Sequence, residues 1–328
     1  MRVLYIGGTG EISFDCVHES VRLGHDVSVF NRGQHNDGLP AGCRLLRGDI
    51  EDDAAHAALA AQNFDVVCQF RLFTTGEAAR DIAAFRGHCD QYVFISSASV
   101  YEKPIRKLPI TEATPIGNRF WSYSQAKADI EAMLRSQVGL RYTIVRPSHT
   151  YRTRMPTPMG RNIEVSRLLR GKPVAVPGDG ESVWTVTHAE DFARPFARLL
   201  GNPRAIDQDF HITSDRQWPW NTILEAIAAA LDVHDCRLVH VASETLARYN
   251  AAWEGSLLGD KCRSVIFDNT KARQAAGDFD CPIDPWQGMR MVAERHPPND
   301  RCDPEIDRLL DRIVQDVERL GSPATAGT

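Results

Sequence analysis

The chain opens with an apolar run, Val3-Leu4-Tyr5-Ile6, that stops at Gly7-Gly8-Thr9-Gly10. A helical pattern carrying Ile12, Cys16, Val17 and Val21 follows and ends at Gly24, and Val27 to Phe30 reads as a second strand. This is a β-α-β unit of the size used to hold dinucleotides, and it restricts the chain to an α/β architecture. Glycines at the turn let backbone N–H groups approach a pyrophosphate, and the helix N-terminus favours its charge. The spacing is G-x-x-G-x-x-S, with Ser13 where a third glycine often stands. Serine is small, so close helix-to-strand packing should survive. Taken alone, the unit also reads as a tight turn in a non-binding α/β domain.

The alternation continues. Leu45-Leu46 reads as a short third strand, Phe64 to Gln69 as a fourth, and Gln91 to Ser96 and Tyr142 to Val145 as two more, with Ala-rich helical patterns between them. That pattern predicts a doubly wound parallel sheet, whose ligands lie beyond the strand C-termini. Asn31-Arg32 closes the second strand, where an acid would accept bonds from the ribose of NAD and repel a 2′-phosphate. Asn31 can bond a ribose and Arg32 can meet a phosphate, which tilts the choice modestly toward NADP. Asp49 and Ile50, at the exit of the third strand, suit an adenine; Asp49 also reads as a helix cap beside Asp52 and Asp53.

The composition shifts after Arg146-Pro147, into an irregular loop of Arg152, Thr153, Arg154, Met155, Pro156, Thr157 and Pro158. A helix is expected from about residue 162 to 170, strands at 174–176 and 183–186, and a helix from His188 through Leu200. The expected organisation is a dinucleotide-binding domain over 1–165, with 184–213 returning to it. A smaller C-terminal α/β substrate lobe takes 166–183 and 214–296, and 297–328 forms a C-terminal helix and disordered tail. Ile306, Leu309, Leu310, Ile313, Val317 and Leu320 have the spacing of an amphipathic helix.

A formal charge of −5 gives no electrostatic case for nucleic-acid or membrane binding. No 18-residue apolar run and no signal-peptide pattern is visible, so a cytoplasmic protein is expected. The eight cysteines are scattered without a C-x-x-C, which favours reduced thiols over disulfides, and no metal site is expected.

Tyr123 stands four residues before Lys127, so both side chains share one helix face. A nearby ammonium favours the phenolate, and a tyrosine so tuned can exchange a proton with a carbinol. Upstream, Ser96-Ser97-Ala98-Ser99-Val100-Tyr101 supplies hydroxyls.

Together, Gly7-Gly8-Thr9-Gly10, Gly48-Asp49, the serine run through Tyr101, Tyr123-x-x-x-Lys127, Arg146-Pro147 and His188-x-x-Asp191 resemble the extended short-chain dehydrogenase/reductase superfamily, in its NAD(P)-dependent epimerase/dehydratase branch. The resemblance covers roughly residues 1 to 290. It implies a Rossmann-type sheet, NAD or NADP as cofactor, and Ser97, Tyr123 and Lys127 as the catalytic set. It implies cofactor contacts from Gly7, Thr9, Gly10, Glu11, Ile12, Asn31, Arg32, Asp49, Ile50, Phe70, Arg71, Ser96, Tyr123, Lys127 and Pro147. Substrate contacts are expected from Ser97, Ser99, His149, Arg154 and Trp184.

The departures narrow the function. Relatives that eliminate water have a Thr-Asp-Glu run where this chain has Ser97-Ala98-Ser99, and alanine cannot transfer a proton. Relatives that bind a nucleoside diphosphate often have an arginine where Trp184 stands; an indole cannot offer an anion the same fork. Arg152, Arg154, Arg161 and Arg167 are candidates to replace that charge. Arg71 follows the fourth strand, where small residues are usual. The expectation is an epimerase or oxidoreductase acting on a secondary alcohol of a sugar or sugar-nucleotide-like substrate. The alternatives are a ketoreductase or dehydrogenase on a non-nucleotide small molecule, and a non-catalytic dinucleotide-sensing or RNA-binding relative. The partner is a small molecule rather than nucleic acid or membrane, with room for a homodimer.

Overall fold

The computed structural model describes residues 1–160 and 162–321; Arg161 and the expected tail beyond residue 321 lie outside the described residues. Contacts divide the chain into two units. Unit 1 comprises residues 1–152, 185–215 and 266–282, and unit 2 comprises 153–184, 216–265 and 283–328. The first crossing therefore falls at 152/153 and not at 165/166, and the segment 266–282, expected in the smaller lobe, belongs to unit 1.

Unit 1 is built on a seven-stranded parallel sheet. Its strands are β1 (Arg2–Ile6), β2 (Asp26–Asn31), β3 (Arg44–Arg47), β4 (Phe64–Gln69), β5 (Cys89–Ile95), β6 (Tyr142–Pro147) and Gln208–Ile212. The spatial order is β3-β2-β1-β4-β5-β6 and then 208–212. The order reverses between β1 and β4, where Val3 pairs with Val27 on one side and Val66 on the other. Such a reversal opens a crevice at the strand C-termini.

Both sheet faces are covered, so the strands read as unbroken apolar runs. Odd positions of β1, Val3 and Tyr5, pack with Cys16 and Val17 of helix α1 (Ser13–Arg22) and with Phe192 and Phe196 of the helix Ala189–Leu199. Even positions, Leu4 and Ile6, pack under helices α2 (Asp53–Ala60), α3 (Thr75–Phe85) and α4 (Ser122–Arg135) through Leu59, Ile82, Phe85, Ile130 and Leu134.

Unit 2 pairs Val174–Pro177 in parallel with Leu238–Val241, and Val183–Trp184 antiparallel with Trp218–Pro219. The expected single strand over 183–186 is therefore two. Val186–His188 belongs to unit 1, pairing with His149–Tyr151. The helix Pro304–Gly321 buries Leu310, Ile313 and Val314 in the core of unit 2. Charge fixes its first turns: Asp307 meets Arg167 at 2.7 Å and Lys172 at 2.8 Å. Among the described residues no helix is long and apolar enough to cross a membrane.

Candidate active site

The glycine turn after β1 shows why small residues stand there. Gly7 has φ +85°, and a Cβ on it would fall 2.5 Å from Cγ of Arg71. A Cβ on Gly8 would fall 2.8 Å from Val29 and 3.0 Å from Val17, which measures how closely α1 approaches β2. Ser13 does more than fit. Its hydroxyl donates to the carbonyl of Gly7 at 2.6 Å and accepts from the N–H of Gly10 at 2.9 Å, closing the turn. No side chain caps the start of α1, the end of a helix that suits an anion.

The turn forms one wall of a cavity of about 340 Å³ at the C-terminal edge of the sheet. Of the expected cofactor contacts, Gly7, Thr9, Gly10, Asn31, Arg32, Asp49, Ile50 and Arg71 line it. Phe30, Gln34, His35 and Glu51 line it too; Gln34 and His35 went unnoticed in the sequence because the loop after β2 has no periodicity to reveal them. The cavity's size and its mixture of apolar wall and polar groups fit the adenosine half of a dinucleotide. Arg32 is exposed and has no ionic partner among the described residues. Asn31 has its side chain spent in a turn, accepting from Gly33 N–H at 2.7 Å and donating to Asn36 at 2.9 Å. Asp49 likewise accepts from the Glu51 N–H at 3.1 Å.

Beyond the cavity, Phe70 packs between Tyr5 and Phe196. Pro147 is buried at the end of β6, opposite Ile212. The Glu11 carboxylate turns to the N–H of Arg152 at 2.9 Å, and the Arg152 guanidinium lies 3.3 Å from Asp15 and over the ring of Phe14. Ile12 immediately precedes α1, at its N-cap.

The hydroxyl set sits at the end of β5. Ser96 is buried, and its Oγ has no partner among the described residues, an open polar position beside the strand end. Ser97 is half-buried, and its Oγ accepts from the Ser99 N–H at 3.2 Å and lies 2.9 Å from Ser99 Oγ. Ser99 is buried; its hydroxyl in turn accepts from Ser124 Oγ at 2.7 Å. If each hydroxyl passes its hydrogen onward, Ser124 to Ser99 to Ser97, the proton of Ser97 is left for a ligand oxygen. Ser99, expected to touch substrate, has its hydroxyl engaged between two serines.

Lys127 is buried on α4. Its Nζ donates to the carbonyls of Leu72 at 2.7 Å and Ile95 at 2.9 Å, and lies 4.9 Å from the ring centres of Phe73 and Phe94. The ring of Tyr123 is 5.9 Å away, one helical turn back. Burial lowers the Lys127 ammonium to about 8, while Glu77 and Glu131 act against that fall. Phe73 is an aromatic that sequence reasoning passed over, although it is 43 % exposed beside this pair.

Other motif residues prove to be structural. Arg146 is fully buried and forks onto Glu131 at 2.8 and 2.6 Å, with a third bond to Tyr101 Oη at 3.0 Å. His188 caps the helix it precedes. Glu102 pairs with Arg106. His149 is half-buried on its short strand in unit 1. In unit 2, Arg154 is exposed, whereas Trp184 is buried, stacked on Trp220 at 5.1 Å with the Lys261 ammonium 3.9 Å from its ring centre.

A family model described as "NAD dependent epimerase/dehydratase family" matches residues 3–213. The chain belongs to this family. Two curated proteins are similar to this chain. The chain is 28 % identical over 253 residues to the chloroplast stem-loop binding protein of 41 kDa b of Arabidopsis thaliana, covering 73 % of this chain and 65 % of that protein. It is 28 % identical over 247 residues to 2′-dehydrokanamycin reductase of Streptomyces kanamyceticus, covering 70 % of this chain and 67 % of the reductase. Among solved structures, UDP-glucose 4-epimerase from Bifidobacterium longum, in complex with NAD+ and UDP, superposes with a TM-score of 0.73. It is 18 % identical and covers 90 % of this chain and 99 % of that one. At that identity the likeness establishes the fold.

Proposed function

We propose that this family member is an NAD(P)-dependent epimerase or oxidoreductase acting on a secondary alcohol of a sugar or sugar-nucleotide-like substrate. The observation that carries the reading is the seat of Lys127: an ammonium held by two backbone carbonyls one turn below Tyr123. An ammonium so placed stabilises negative charge on the Tyr123 oxygen as it takes the proton of a substrate hydroxyl. Ser97, oriented by Ser99, donates to the same substrate oxygen and holds it in place. When bound, the dinucleotide supplies the acceptor for the hydride that leaves the carbinol carbon. Gly7, Thr9, Gly10, Asp49, Ile50 and Arg71 would hold it, and Arg32, lacking an acid partner, would tolerate a 2′-phosphate. His149 is the proposed polar contact for the sugar, since a neutral imidazole both donates and accepts.

The chain lacks the carboxylate that water elimination needs at Ala98, which favours epimerisation or simple redox over dehydration. The test is to denature the purified protein, identify any released dinucleotide by mass, and follow candidate sugar nucleotides and ketones by NMR. Retained NAD with interconverted epimers, or net reduction with free cofactor, supports the reading and separates its two forms. A protein that binds neither NAD nor NADP overturns it.

The stem-loop binding relative favours a second reading, an RNA-binding protein that keeps the fold. The net charge of −5 argues against it, because phosphate contacts need a basic surface. Tight, salt-sensitive binding of a labelled RNA hairpin, together with no turnover, would select it.

A further inference from the structure

Unit 2 contains a cavity of about 530 Å³ whose described lining includes one of the candidate site residues, Arg154. Thr153, Arg154, Asn162, His296, Asn299 and Arg301 supply its polar lining, and Met155, Val292, Pro297 and Pro298 its apolar lining. Among the described residues no carboxylate lines it. Neither guanidinium has an acidic partner among the described residues. The contrast within unit 2 is direct: Arg167, Arg170 and Lys172 are all neutralised by Asp307 and Asp311.

The segment bearing Arg301 is held in place. Asn162 adopts φ +64°, a left-handed conformation that asparagine tolerates. From there its Nδ2 donates to the carbonyls of Asn299 at 2.8 Å and Arg301 at 3.2 Å. Ser166 Oγ donates to the carbonyl of Asp300 at 2.6 Å. Three consecutive carbonyls are therefore fixed from the start of one helix, and the backbone beneath the Arg301 guanidinium is anchored. Two exposed arginines lining one cavity together with prolines, Met155 and Val292 suit an organic phosphate. Guanidinium forks match phosphate oxygens, and the prolines, Met155 and Val292 offer surface to a sugar ring.

We propose that this cavity binds a small phosphorylated organic molecule of the sugar-phosphate class. The inference is independent of the chemistry proposed at Tyr123. The experiment is calorimetric titration of the full chain, saturated with NAD, using ribose 5-phosphate and, separately, inorganic phosphate. Ribose 5-phosphate should bind, more tightly than inorganic phosphate, with an affinity that falls as NaCl rises. Arg154→Gln combined with Arg301→Gln should weaken it at least tenfold while the affinity for NAD stays unchanged. Asn162→Leu, which frees the 299–301 backbone without removing a charge, should weaken it by a smaller factor. Failure of the parent protein to bind ribose 5-phosphate, or unaltered binding in the double variant, overturns the site. Equal affinities for the two ligands overturn the role of the apolar wall and with it the assignment to an organic phosphate.

Discussion

Ser124 donates a hydrogen bond across 2.7 Å to Ser99, and so ties the helix carrying Tyr123 to the turn carrying Ser97. The two catalytic candidates lie on separate elements, and this contact, passed on to Ser97, links them. Ser124→Ala should lower turnover by about fivefold, the equivalent of one neutral hydrogen bond of about 1 kcal/mol. Cofactor affinity should not change. Steady-state rates and a cofactor titration on the same preparation check this; an unaltered rate would show that the relay does not position Ser97.

Tyr123→Phe removes only a hydroxyl from a half-buried ring. Turnover should fall by roughly 10²-fold or more, the usual loss for a proton-transfer group, with dinucleotide affinity nearly intact. Turnover within a few-fold of the parent would reject Tyr123 as the acid/base.

Arg32 lines the cavity without an ionic partner. Arg32→Ala should weaken NADP more than NAD, because only NADP carries the charge that the guanidinium would meet. Fluorescence titrations with both cofactors decide it: equal losses would mean that Arg32 does not reach the 2′-phosphate.

Lys127 makes stability depend on pH. Burial lowers its ammonium to about 8, against 10.5 in the unfolded chain. Between those values the unfolded chain holds the extra proton, so the free energy of unfolding gains a positive slope with pH in that window. The cost of burying the charge is fully present below pH 8 and is relieved as the pH rises. In Lys127→Met that contribution should vanish. Urea titrations of both proteins from pH 7.5 to 10.5 should diverge, and parallel curves would refute the assignment.

Arg146 and Glu131 are a fully buried pair. Arg146→Met leaves the buried Glu131 carboxylate with only the partly exposed Arg135 at 3.2 Å, so it should cost about 3 kcal/mol of stability. Arg146→Met with Glu131→Leu should recover much of it. If the double variant is as unstable as the single one, the loss lies in packing rather than in an uncompensated charge.

What could be read in advance followed from local chemistry. Val3–Ile6 and Phe64–Gln69 were legible because strands covered on both faces are continuous apolar runs. Gly7 and Gly8 were legible because only glycine fits beside Arg71 and Val29. The helix over 304–321 announced itself by its spacing. The apolar run at 183–186 did not show that it divides between two partner strands, since pairing depends on residues far along the chain. The same holds for 266–282, which returns to the sheet unit, and for Arg301, whose place beside Arg154 depends on the Asn162 side chain. For Ser99, sequence shows that a hydroxyl is present but not that Ser97 and Ser124 are its neighbours.

The parallel ladder between β6 and Gln208–Ile212 has a consequence for how the protein is made. As the chain leaves the ribosome, β6 emerges well before its neighbour on that side. Its outer row of N–H and C=O groups stays unpaired until residue 212 is free, and an uncovered strand edge is a template for pairing with other chains. Unit 1 is not complete until residue 282 has followed. A nascent chain stalled before residue 212 would expose the β6 edge of its own sheet. That interval is when a chaperone would matter most to its yield.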